Sequence, residues 1–63
     1  MNIETVIVTV INSNGTFTKE MPMVISGDWL QWAANNYAAV NQGYVTIANK
    51  AGDVLATAGD KPE

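Results

Sequence analysis

From Ile3 to Ile11 every position except Glu4 is a β-branched aliphatic or a threonine, a composition that suits a pleated, half-buried strand. Thr16 to Ile25 reads as a second strand returning from it. Between them, Asn14-Gly15 predicts a two-residue type I′ hairpin turn, because both residues tolerate positive φ. In that register Val10 faces Lys19, Val8 faces Met21 and Val6 faces Met23 on one side. Ile11 meets Thr18, Thr9 meets Glu20 and Ile7 meets Pro22 on the other. The alternation assigns Val6, Val8, Val10, Phe17, Met21, Met23 and Ile25 to a core-facing side. It leaves Thr5, Ile7, Thr9, Ile11, Thr18, Val24, Tyr44 and Thr46 on the far side. Pro22 has no N–H to contribute to a ladder, so the second strand should lie at an edge or be bulged.

The period changes after Ile25. Ser26 to Gln42 is the one helix predicted, with Ser26 as N-cap, Asp28 as first-turn charge and Gly43 as the left-handed residue that ends it. At about 100° per residue, Trp29, Leu30, Ala33, Tyr37 and Val40 form one stripe for the core. Gln31, Asn35, Ala38 and Gln42 fall on the outer face, where charged residues are usual. Trp32 lies outside the stripe, beside Asn36 and Ala39. Tyr44 to Ala48 then reads as a third strand, residues 49–53 as a turn with Gly52 at positive φ, and Val54 to Ala58 as a short fourth strand. The polar end, residues 58–63, reads as a frayed tail of a single domain spanning 1–63.

The element order is ββαββ, an α+β class with one helix on one face of a three- to four-stranded, mainly antiparallel sheet. The first strand is richest in β-branched residues and belongs in the middle, which favours the spatial order 2-1-3-4, with 2-1-4-3 as the alternative. The crossover through the helix should be right-handed. In element order alone, the alternative resembles the immunoglobulin-binding domain of streptococcal protein G.

With 63 residues, the chain can bury only a small core, and domains of this size usually lean on a disulfide, a metal or a partner subunit. It has no cysteine and no histidine, which removes the disulfide and disfavours a zinc site. Self-association, as a dimer, is the expected support. The net charge is -3, with three lysines, no arginine and scattered acids. That gives no basic face for phosphates, so no direct nucleic-acid partner is expected. Nor is a membrane partner expected, since the apolar runs are too short to span a bilayer. Nothing basic precedes the first apolar run as in a signal peptide, and a cytoplasmic location is expected.

Without histidine, cysteine or arginine, the usual acid–base and nucleophilic groups are missing. Ser13 and Asp53 read as turn residues; Ser26 and Asp28 read as helix-start residues. The glycines are isolated and make no phosphate loop. No enzymatic activity, no cofactor and no metal are expected. Two surfaces stand out instead: the uncharged outer helix face with Trp32, Asn35, Asn36 and Ala39, and the far sheet face with Ile7, Ile11, Val24 and Tyr44. They point to a small acidic protein that binds another protein. In size, acidity and element order the chain is similar to the very small proteins that bacteriophages make to inhibit host enzymes or defence complexes, acting in the host cytoplasm. The alternative is a structural, homo-oligomeric component of a larger assembly.

Overall fold

A computed structural model describes residues 2–60. The chain runs β1 (Ile3–Asn12), β2 (Gly15–Val24), α1 (Trp29–Asn41), β3 (Tyr44–Asn49) and β4 (Val54–Ala58). The four strands form one antiparallel sheet in the order β2-β1-β3-β4, and α1 packs on one face. The fold is therefore the α+β, ββαββ arrangement, in the favoured strand order. β1 sits in the middle, as its β-branched composition requires. Pro22 lies on an edge strand, as its missing donor requires.

Ladder alternation sorts the faces. Val6, Val8, Val10, Val45 and Ile47 are fully buried beneath α1, with Met23 and Ala56 close behind. Met21 and Ile25 pack against this cluster. Phe17 points the same way but is 47% exposed, so it is not core.

The hairpin register differs from the expected one. Asn12 pairs with Gly15, Val10 with Phe17, Val8 with Lys19 and Val6 with Met21. The turn is centred on Ser13-Asn14 rather than Asn14-Gly15. Asn12 is the reason: its Oδ1 accepts the Asn14 N–H at 2.9 Å, a local side-chain turn. Neither Ser13 nor Asn14 takes positive φ, which excludes type I′, and Gly15 alone carries φ +125°. Asparagine first and glycine fourth is the type I preference. Each β1 residue thus meets a partner two places earlier in β2 than expected. A shift of two leaves every side chain on its expected face, so the face assignments survive the wrong partners.

α1 is shorter and turned differently from the expected helix. Gly27 has φ +65°, which a helical run cannot include, so Ser26 is not the N-cap. Asp28 takes that position without a capping side-chain bond. At the other end Gln42, not Gly43, is the left-handed residue, with φ 50° and ψ 54°. Gly43 serves a different need: a Cβ there would run into the Ile11 carbonyl oxygen and come within 2.8 Å of the Asn12 Cβ. At the helix end Asn12 Nδ2 donates to the freed Asn41 carbonyl at 3.1 Å, and Asn41 Nδ2 donates to the Tyr37 carbonyl at 2.8 Å.

The buried stripe is Leu30, Ala33 and Ala34, flanked by half-buried Tyr37 and Ala38. Trp29 is 49% exposed and Val40 is 79% exposed, so neither is core. Ala38, placed on the outer face from its spacing, packs against the core instead. Alanines at the contact permit a close approach of helix and sheet.

The β3–β4 turn closes as expected, with Asn49 bonded to Asp53 through main chain and side chain, and Gly52 at φ +96°. Ala58 is not part of a tail: it pairs with Val45 and is half-buried. Of the rest of the expected tail, Gly59 and Asp60 are exposed and outside any strand, and 61–63 lie outside the described residues.

Candidate functional site

α1 lies over β3 and β4 and reaches β2 least. The inner face of β2 near its hairpin end is therefore uncovered, and Phe17 and Lys19 stand exposed there. Beside them, the near side of α1 presents Trp32, Asn36, Tyr37 and Val40. Together they enclose an open groove of about 570 Å³, with β2 as floor and α1 as wall. Tyr37 is held in the wall by its hydroxyl, 3.2 Å from the Met21 sulfur.

One turn back, the Trp29 ring stacks on Trp32, centroids 5.1 Å apart and planes 26° from parallel. Trp32 is 57% exposed. Trp29, Trp32, Phe17 and Val40 thus form a run of large apolar side chains on the surface, while two of the three buried residues of α1 are alanines. Aromatic side chains contribute most when buried, so this inversion of size is a poor use of them for folding. It is what a contact surface requires. Among the described lining residues, Lys19 is the charged one.

Of the expected contact residues, Trp32 and Asn36 line this groove. Asn35 and Ala39 are exposed on α1 outside it, and Asn35 Oδ1 accepts from Gln31 Nε2 at 3.1 Å. Ile7, Ile11, Val24 and Tyr44 lie half-buried on the opposite face of the sheet. The two sets do not meet. The sheet-face set is itself divided. Thr18, Thr9, Thr46 and Thr57 pair in succession across all four strands, a threonine row that separates Ile11 and Tyr44 from Ile7. Val24 is farther off, opposite Ile3.

Sequence reasoning missed Phe17, Trp29 and Val40 as surface residues, having placed all three in the core. One signal was present: Lys19 shares the inner face with Phe17, and a lysine there marks where the helix stops covering the sheet.

A second cleft, of about 600 Å³, lies at the hairpin end of the sheet between Asn12, Ser13, Gln42, Gly43, Gly59 and Asp60. Asp60 is the one acidic or basic side chain among its described lining residues. Ser13 sits in the β1–β2 turn, Ser26 and Asp28 before α1, and Asp53 in the β3–β4 turn, so these side chains are not brought together. Among the described residues, no cluster of three acidic side chains forms a metal site, and no helix is long and apolar enough to cross a membrane. Comparison with protein-family models, with curated proteins and with solved structures finds no match.

Proposed function

We propose that this chain is a small acidic, non-enzymatic protein that docks on another protein and inhibits or modulates it, in the manner of phage-made inhibitors of host enzymes or defence complexes. The observation that supports the reading is the exposed aromatic surface of Trp29, Trp32 and Phe17 beside Val40. Tryptophan is the residue type most enriched at binding hot spots, and a stacked pair already held in place loses little freedom on docking. In this reading the protein works by covering a partner's surface in the host cytoplasm, and needs no cofactor.

The test is capture from host lysate with tagged protein, followed by affinity measurement on the purified partner. Trp32→Ala should weaken that complex by about 2 kcal/mol or more, the size of a hot-spot loss, without lowering the melting temperature appreciably. Equal affinity for wild type and the Trp29→Ala/Trp32→Ala double variant would refute the proposal, as would turnover of a substrate abolished by replacing Ser13, Ser26, Asp28 or Asp53.

A second reading is a structural homo-oligomer, supported by the uncovered sheet face with Ile7, Ile11 and Tyr44. Sedimentation at tens of micromolar separates the two readings: a stable dimer broken by Ile7→Lys favours the second.

A further inference from the structure

The edges of the sheet are not alike. β4 is short, its pairing with β3 slips between Ile47 and Ala48, and Gln31 Nε2 on α1 already bonds the Thr57 carbonyl at 2.9 Å. That edge is short, irregular and partly occupied, which blunts it. β2 is ten residues long, pairs with β1 without a bulge, and among the described residues no strand lies on its other side.

The direction of its backbone groups follows from one bond. The Ile25 N–H donates to the Asn2 carbonyl at 2.9 Å, so the Asn2 and Ile25 positions form a hydrogen-bonded pair. In an antiparallel ladder such pairs alternate with non-bonded ones. With the register continuous, odd-numbered β2 residues bond to β1, and even-numbered ones turn their N–H and C=O outward. Pro22 is even-numbered, so its missing donor faces out, where the fold tolerates it. Thr16, Thr18 and Glu20 therefore offer outward backbone donors and acceptors, and Pro22 ends the row. Side chains alternate with this pattern: Phe17 and Lys19, between those edge groups, point into the groove.

We propose that the β2 edge takes an extended segment of the partner protein as a fifth strand along Thr16–Glu20. That segment places an apolar side chain among Phe17, Trp32 and Val40 and a carboxylate, two residues away, against Lys19. The proposal rests on the docking function above and names the element that docks. Main-chain bonds supply affinity in strand addition, and alternate side chains supply selectivity. The carboxylate follows from charge complementarity: Lys19 lines the groove, and none of the described lining residues is acidic. A second copy fits less well. The inward side chains of β2 itself are Phe17, Lys19, Met21 and Met23, so edge-to-edge pairing of two copies would set Lys19 near another Lys19 or an apolar group. Lys19, Glu20 and Pro22 also guard the edge against indiscriminate pairing.

Random peptides displayed on filamentous phage, selected on the immobilised protein, test the proposal. Enrichment of an apolar residue two places from Asp or Glu is expected. The selected peptides, synthesised and titrated by calorimetry, should lose at least about tenfold in affinity for Thr18→Pro, which removes one outward donor. Thr18→Pro should keep the far-UV circular dichroism of wild type, because Pro22 already occupies an equivalent position. Lys19→Glu, an exposed change, tests the charge independently of that variant and should turn the selection toward Lys or Arg. No consensus, or peptides indifferent to both variants, overturns the proposal. A wild-type dimer dispersed by Thr18→Pro gives the edge to a second copy and overturns it as well. A partner whose binding needs Trp29 and Trp32 but not Thr18 removes strand addition and leaves the docking function standing.

Discussion

The two flanks of α1 are built on opposite terms. Toward β3 and β4 the small residues Ala34 and Ala56 are buried, over buried Val45 and Ile47, and Gln31 ties the helix to the Thr57 carbonyl. Toward β2 the residues are large and open: Trp32, Phe17 and Val40, with Trp29 stacked behind. The closed flank holds the fold together because small side chains allow close approach and dense packing. The open flank keeps its bulk available. The lesson is that residue size predicts burial poorly on this helix: Ala33 and Ala34 go inside with Leu30, while both tryptophans stay on the surface.

The largest effect should come from the closed flank. Ile47→Ala removes a fully buried side chain beneath α1 and should lower the unfolding free energy by about 2–5 kcal/mol in urea titration. For a domain this small that is enough to unfold most of the population. A loss below about 1 kcal/mol would mean that the core under the helix is not packed as described.

Gly43→Ala should follow. A Cβ there meets backbone, the Ile11 carbonyl oxygen, which cannot step aside as a flexible side chain would. Overpacking of this kind costs about 1–3 kcal/mol, and the end of β1 should show the largest amide-shift changes by NMR.

Trp29→Ala separates the flanks most directly. Exposed and stacked on Trp32, Trp29 should contribute no more than about 1.5 kcal/mol of stability. If it belonged to the buried stripe, as its spacing first suggests, the loss would be about 3–5 kcal/mol. A melt as damaged as that of Ile47→Ala would undo the distinction between the flanks.

Gln31→Ala should be smallest, about 0.5–1 kcal/mol for the solvent-exposed hydrogen bonds of Gln31 Nε2 to the Thr57 carbonyl and Asn35 Oδ1. Its signature is local: faster amide exchange in β4 with β1 and β2 unchanged.

Much of this was readable from residues alone. The strand spans, the central place of β1, Pro22 at an edge and Gly52 at positive φ all follow from local chemistry. So does the face of every β1 and β2 side chain, which survived a wrong choice of hairpin partner because the error was an even number of residues. Trp32 and Asn36 were legible as surface residues of the candidate site. Phe17, Trp29 and Val40 were not, because apolar character alone does not say which side of a surface a residue takes.

Strand alternation is a local property. Successive side chains point to opposite faces whatever surrounds them, so a run such as Ile3 to Ile11 carries its own inside and outside. α1 has no such self-contained answer. Trp29, Leu30, Trp32, Ala33, Ala34, Tyr37, Ala38, Ala39 and Val40 put apolar groups almost all the way round it, so more than one stripe satisfies the helical period. The tertiary structure chose among them by where α1 lies on the sheet. Alanines at 33 and 34 permit a close approach to the valines of β1 and β3, both indoles stay on the surface, and the side of the sheet the helix does not reach becomes the groove.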